Sequence, residues 1–107
     1  MSASQRRKGQ VGEREIAAIL TDQLGWVVNR TLNQTRDGGH DIETGQFRWE
    51  VKRRAKLSVY AFMEQAKEAC QDEGTPVVVM RGDGEEWLVM MRLEDILPLI
   101  RDQLSQR

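Results

Sequence analysis

Hydrophobic and polar positions follow two different periods along the chain, and each period predicts a different kind of element. Between positions 16 and 24 the apolar residues recur at helical spacing, which predicts a first helix from Gly9 that ends at Gly25. The segment Phe47–Arg53 instead alternates between apolar and polar residues as far as Lys52, as a half-buried strand does. The same reasoning predicts strands over Trp26–Arg30, His40–Glu43, Pro76–Arg81 and Glu86–Met91, and helices over Val59–Glu73 and Leu93–Leu104.

This order of elements, α-β-β-β-α-β-β-α, predicts an α/β fold with a mixed five-stranded sheet flanked by helices. The segment Pro76–Arg81 is apolar up to its last residue, so we expect a central strand with helices covering both faces of the sheet. A chain of 107 residues has the length of a single domain. We expect residues 1–8 to form a flexible basic arm and residues 9–107 to form the domain.

Composition restricts the compartment and the kind of metal. No apolar run approaches the ~20 residues that cross a bilayer, and no apolar stretch of a signal peptide follows the basic N-terminus. A cytoplasmic location without membrane association is therefore expected, in a microbial cell or a virus-infected host cell. The single cysteine, Cys70, excludes an internal disulfide and suits a reducing compartment. One His and one Cys are too few for a structural zinc site, so any metal should be a hard cation held by oxygen.

Charge is unevenly distributed, although the net charge is only −1. Residues 1–60 carry 11 Lys/Arg against 7 Asp/Glu, and residues 61–107 carry 5 against 10. A cationic first half suggests that one face of the domain meets an anionic partner, with a chance imbalance as the alternative. An acidic surface that binds another protein is a further interpretation of the second half.

The strand Phe47–Arg53 carries the first candidate site residues. Glu50 and Lys52 lie on the same side of this strand, about 7 Å apart at ~3.3 Å per residue. Asp41 belongs to the preceding strand, and pairing through the turn at Gly45 would bring it near them. Two carboxylates and an ammonium suit phosphodiester hydrolysis, because Mg²⁺ prefers carboxylate and water oxygens and activates water. The alternative is an ordinary surface ion pair on a half-solvated hairpin.

Glu13 is a third candidate carboxylate, contributed by the first helix. Its position extends the stripe of apolar residues that includes Ile16, Ala17 and Leu20. A carboxylate in line with a buried stripe is costly unless something binds it. The alternative is a solvated first-turn glutamate that interacts favourably with the helix dipole.

These residues together form a recognisable pattern. Arg7-Lys8-Gly9, then Glu13-Arg14-Glu15, then Asp41, then Glu50-Val51-Lys52 resembles the archaeal-type Holliday junction resolvases of the PD-(D/E)xK nuclease superfamily. The resemblance covers roughly residues 7–54. It implies a restriction-endonuclease-like core and a nuclease activity that depends on Mg²⁺, for which Mn²⁺ would substitute.

The resemblance also implies roles for individual residues. Glu13 would help to hold the metal, Asp41 would be its central ligand, and Glu50 the second core ligand. The carbonyl of Val51 would complete the coordination, and Lys52 would be the catalytic lysine. Arg7, Lys8 and Arg14 would contact phosphates. Separately from the resemblance, the basic residues next to the predicted site could also grip DNA, with solvated loops as the alternative; they are Arg30, Arg36, Arg53, Arg54 and Lys56.

The sequence departs from the family pattern in several respects. His40 stands before Asp41 where the family has proline, and the connection to Glu50 is short. Gln65 on the second helix matches a position where some phage and exonuclease branches carry an auxiliary glutamine, and an exposed helical glutamine is the alternative. The acidic second half is unusual for a resolvase.

Four functions therefore stand as hypotheses. The leading one is a metal-dependent endonuclease that resolves four-way DNA junctions as a two-fold homodimer, since two strands must be cut symmetrically. A nuclease of the same superfamily that acts on flaps, nicks or duplex DNA is the second, because fold does not determine substrate. The short chain leaves little room for a sequence-reading domain, which favours recognition of DNA shape. The remaining hypotheses are a catalytically inactive DNA-binding module and an α/β domain whose acidic face binds protein.

Overall fold

Three helices and a mixed sheet form the fold in the computed structural model, which describes residues 3–25, 29–30, 42–71 and 73–106. The helices are α1 (Ala3–Leu24), α2 (Val59–Cys70) and α3 (Leu93–Leu104). The strands are β1 (Asn29–Arg30), β2 (Ile42–Thr44), β3 (Phe47–Arg53), β4 (Thr75–Arg81) and β5 (Leu88–Met90).

The strands lie in the sheet in the order in which they occur in the chain. Strands β2 and β3 form an antiparallel hairpin. Helix α2 then connects β3 to β4, which pairs parallel to β3, and β5 pairs antiparallel to β4. These four strands, together with the three helices, confirm a single α/β domain with a mixed sheet. At the outer edge, the two residues of β1 pair with β2. The rest of the predicted first strand, residues 26–28, lies outside the described part, so the full five-stranded sheet stays a prediction.

Helices cover both faces of the sheet, as the apolar character of the central strand predicts. One core cluster joins α1 to one face of the sheet, and a second joins α2 to the other face. The strand β4 contributes to both, because its side chains alternate between the faces and residues 76–80 are all buried. The α1 cluster contains Ile16, Ala17, Ile42, Val51 and Val79, and the α2 cluster contains Phe62, Met63, Ala66, Val78 and Met80.

Helix α1 begins at Ala3, not at Gly9, so residues 3–8, expected to form a flexible arm, are part of the helix. The segment contains alanine, glutamine, arginine and lysine, which favour a helix. The helix ends as predicted: Gly25 has a φ of 65° and its N–H donates to the Thr21 carbonyl at 3.0 Å. Gly12 is buried where the helix packs closely on the sheet, since a Cβ there would lie 3.3 Å from the Cβ of Arg53.

The later elements differ from their predicted bounds mainly at their ends. Helix α2 stops at Cys70 because Gln71 takes a left-handed conformation, whereas the sequence predicts a helix that continues to Glu73. Ser58 occupies the predicted N-cap position without a capping bond from its side chain. Helix α3 has its predicted bounds. The Cys70 thiol is buried, and this burial raises its pKa above the usual value.

Within the described part of the chain, no helix combines the length and the apolar character needed to span a bilayer.

Candidate active site

Glu50 and Lys52 form a buried ion pair on β3. Lys52 Nζ lies 4.0 Å from Glu50 Oε2, and the two side chains are only 10% and 12% exposed. The ammonium also lies 5.5 Å from the centroid of the Phe62 ring on α2, within the range of a cation–π interaction. The alternative of a solvated surface pair does not fit this burial. Charged side chains are seldom buried without a specific role, because desolvation is costly.

The alternation of β3 determines what each of its residues faces. Val51 points to the α1 side, where it belongs to the apolar cluster of that helix. Glu50 and Lys52 pair in register with Val78 and Met80 of β4, whose side chains belong to the α2 cluster. The predicted alternation is therefore present, and the side chains of Glu50 and Lys52 are largely buried on the α2 side of the sheet, with a small part of each still exposed.

Glu13 approaches the same region from α1. Because the helix begins at Ala3, Glu13 lies well past the first turn, so the first-turn interpretation does not apply. Its Oε1 is shielded from solvent. A cavity of about 250 Å³ brings the helix and the strand together. The described residues that line it are Gln5, Arg6, Gly9, Gln10, Glu13, Glu50, Val51, Lys52 and Arg54.

Asp41 lies outside the described residues, so its predicted position is not tested. The described part of β2 begins at the next residue, Ile42, which pairs with Trp49. No three Asp, Glu, His or Cys side chains of the described segments are grouped closely enough to hold a metal. Among the described residues at the cavity, the possible ligands are the carboxylates of Glu13 and Glu50 and the backbone of Val51. Oxygen donors of this kind suit a hard divalent cation.

The residues predicted to bind DNA are distributed unevenly around the cavity. Arg54 lines it. Lys8 points elsewhere and pairs with Asp83 at 2.9 Å, and this hydrogen bond lowers the pKa of the Asp83 carboxyl. Arg53 is half-buried, with its Cβ close to Gly12. The other predicted residues are either exposed and not among those lining the cavity (Arg7, Arg14, Lys56 and Gln65) or, for Arg36 and the side chain of Arg30, outside the described part.

Sequence reasoning missed Arg6 and Gln10 as lining residues. Positions 6, 9, 10 and 13 follow the helical repeat, so they form one stripe that includes Glu13. The stripe is visible in the sequence only if the helix is started before Gly9. The prediction of an arm over residues 1–8 left Arg6 outside the predicted helix.

Glu15, the second glutamate of the Glu13-Arg14-Glu15 motif, anchors α1 to the sheet. Its Oε1 accepts a hydrogen bond from the indole Nε1 of Trp87 at 2.8 Å and one from Arg81 Nη1 at 3.3 Å. The Arg81 guanidinium also lies 5.9 Å from the Trp87 ring. Since Glu15 is not among the residues lining the cavity, we assign it a role in positioning the helix that carries Glu13.

A family model described as "Phage putative PDDEXK endonuclease" matches residues 4–106, which is nearly the whole chain. No curated protein matches the sequence.

Proposed function

Because the chain belongs to the phage PDDEXK endonuclease family, we propose that it is a metal-dependent endonuclease that hydrolyses DNA phosphodiesters at the cavity between α1 and β3. The observation that supports this most directly is the meeting of Glu13, Glu50 and Lys52 at one cavity, with the last two buried as a pair. The active site would comprise Glu13, Asp41, Glu50 and Lys52.

Asp41 would complete the proposed site if the register of the hairpin continues by one residue. Ile42 pairs with Trp49, so one further step of the same antiparallel register would set position 41 beside Glu50. Glu13, Asp41, Glu50 and the Val51 carbonyl would then be the ligands of a divalent cation, with Mg²⁺ proposed and Mn²⁺ as its substitute. When bound, such a cation supplies Lewis-acid activation of water and offsets charge on the phosphate.

Lys52 has a separate role in the proposed reaction. Its ammonium lies near both the Glu50 carboxylate and the Phe62 ring, and these two contacts favour one orientation. There it would position the attacking water and offset the negative charge that develops on the phosphate. Water adds to phosphorus in line with the departing sugar oxygen, so no covalent intermediate with the protein forms.

Branched DNA, and a four-way junction in particular, is the proposed substrate. The support is the resemblance of the opening motif, Arg7-Lys8-Gly9 with Glu13-Arg14-Glu15, to that of junction resolvases. Symmetrical cutting of two strands calls for a two-fold homodimer. Arg6 and Arg54, which line the cavity, would contact the phosphates next to the scissile bond.

The test is a cleavage assay on synthetic four-way junction, flap, nicked duplex, linear duplex and single strand, with Mg²⁺ or Mn²⁺. We expect the junction to be cut fastest. We expect Asp41→Asn, Glu50→Gln and Lys52→Ala to lower the rate by about 10²-fold or more, as losses of groups at the reacting centre do. Glu64→Gln is the matched control, since Glu64 is exposed on α2. Failure of the wild type to cut any of these DNAs would refute the nuclease, and equal rates on all would refute only the junction preference.

Arg6 and Arg7 provide a second matched pair for DNA binding. Both side chains are exposed, but Arg6 lines the cavity and its neighbour Arg7 is not among the lining residues. We expect Arg6→Gln to weaken junction binding more than Arg7→Gln does. We also expect it to make the slope of log K against log salt shallower by the amount that corresponds to about one lost phosphate contact. Equal effects of the two variants would contradict the placement of DNA at this cavity.

A further inference from the structure

Helix α3 presents to solvent an apolar face that its own domain does not cover. Leu93, Leu97, Ile100 and Leu104 are 70%, 46%, 45% and 55% exposed. None of the 12 residues of the helix is fully buried. Helices of this length are marginal in water unless an amphipathic face is packed. The face therefore has the character of an interface.

The spacing of these four residues is symmetrical about the middle of the helix. They are separated by four, three and four positions, so the stripe reads the same in both directions. In two copies of α3 packed antiparallel, Leu93 of each copy would lie opposite Leu104 of the other. Leu97 of each copy would likewise lie opposite Ile100 of the other. An isologous two-fold contact needs a patch that is complementary to itself in this way. The repeat of four and three also matches the seam of a coiled coil.

The charges beside the stripe have the same self-complementarity. Glu94 and Arg101 lie on one flank of the helix, and both are exposed. They are seven residues apart, a rise of about 10.5 Å, so they do not pair within one helix. In an antiparallel pair each glutamate would lie beside the arginine of the other copy. In a parallel pair, like charges would lie at the same level.

From the symmetrical stripe and its flanking charges, we propose that α3 is a self-association helix and that a second copy of this chain docks on it antiparallel across a two-fold axis. A shallow depression lined by Leu97, Ile100, Arg101, Leu104 and Ser105 would receive the apolar side chains of the second copy. The residues described around the α1–β3 cavity include none from α3, so the proposed contact uses none of the described cavity residues. This contact would be the interface of the homodimer proposed for the nuclease. The argument for it comes from the geometry of α3 and does not depend on nuclease activity.

Sedimentation equilibrium of the wild type and designed variants tests this proposal. We expect the wild-type mass to approach twice 12.3 kDa at tens of micromolar protein, and Leu97→Glu/Ile100→Glu to sediment at 12.3 kDa. The control is Tyr60→Glu, because Tyr60 is an apolar residue on α2 that is 87% exposed and distant in sequence. Its mass should equal that of the wild type. A wild type that is monomeric at all concentrations would overturn the proposal.

Charge reversal determines the orientation without disturbing the apolar core. Arg101→Glu and Glu94→Arg should each raise the dissociation constant about 10-fold, since two pairs become repulsive in every dimer. The double variant should return to within about threefold of the wild type, because the pairs are restored with exchanged signs. Failure of the double variant to recover would refute the antiparallel arrangement. Mass is read without DNA, so an inactive dimer would refute only the nuclease, and an active monomer would refute only the α3 contact.

Discussion

Glu15 allows the anchoring of α1 to be measured separately from catalysis. Its carboxylate accepts hydrogen bonds from Trp87 Nε1 and Arg81 Nη1. Replacement by alanine leaves the indole N–H, which is half-buried, without this acceptor. Replacement by glutamine keeps a carbonyl oxygen for the indole and removes only the charge. The two variants therefore separate the hydrogen bond from the ion pair.

The structure gives an approximate magnitude for each loss. A buried donor left without a partner costs about 1–3 kcal/mol, and the partial exposure of this one places it near the middle of that range. The Arg81 guanidinium and Glu15 carboxylate are 25% and 36% exposed, so their ion pair contributes at most about 1 kcal/mol. We expect Glu15→Ala to lower the free energy of unfolding by about 2 kcal/mol and Glu15→Gln by about 0.5 kcal/mol. A melting temperature lower by roughly 10 °C should accompany the first.

Urea unfolding followed by tryptophan fluorescence measures both variants, with Glu68→Ala on the surface of α2 as the control. The control should lie within about 0.5 kcal/mol of the wild type, as surface changes usually do. Equal destabilisation by Glu15→Ala and Glu15→Gln would show that charge, not the indole hydrogen bond, holds α1. A loss below about 0.5 kcal/mol for Glu15→Ala would refute the anchor altogether.

Two other predictions follow from contacts near the site. The hydrogen bond from Lys8 lowers the pKa of Asp83, so its stabilising effect is present above the unfolded pKa of about 3.9 and is lost as pH falls through the lower folded value. Lys8→Gln should raise the Asp83 pKa in an NMR titration and reduce the loss of stability in acid; an unchanged pKa would contradict the pairing. Phe62→Leu removes the ring beside Lys52 and should lower kcat a few-fold with KM nearly unchanged, whereas Met63→Leu, buried on the same helix, should leave kcat unchanged. Equal kcat in both variants would exclude a positioning role for the ring.

The sequence predicts the core of this fold well, because the apolar residues follow the periods of their elements. The apolar run of β4 predicts a strand buried on both faces, and helices do cover both. The alternation in β3 places Glu50 and Lys52 on one face, as observed. The alternation alone does not reveal that this face is buried, because the burial depends on packing against α2, which follows β3 in the sequence.

Element ends were less predictable, for local reasons. The polar residues 3–8 contain no apolar period, so hydrophobic patterning does not reveal the start of α1 at Ala3. The left-handed Gln71 ends α2 before Gly74, the residue that the sequence favours as the stop. Lys8 shows why DNA-binding residues are hard to predict from sequence. Its positive charge suggests a contact with a phosphate, but its partner in the structure is Asp83, in a turn 75 residues away along the chain.

Helix α1 links stability to the proposed catalysis, because one stripe serves both. In its first half the stripe contains Arg6, Gln10 and Glu13, which line the cavity. In its second half the same stripe continues as Ile16 and Ala17 in the core. The apolar half therefore holds the polar half in place.

Local separation of α1 from the sheet would withdraw Glu13 while the Glu50–Lys52 pair of β3 stays assembled. Glu15, between the two halves of the stripe, opposes this separation through its bonds to Trp87 and Arg81. Weakening the anchor should thus reduce cleavage at temperatures below global unfolding, and the deficit should grow with temperature. Loss of Glu13 itself should reduce cleavage at every temperature. The temperature dependence of cleavage by Glu15→Ala and Glu13→Gln consequently distinguishes a residue that positions the helix from one that contacts the reacting groups.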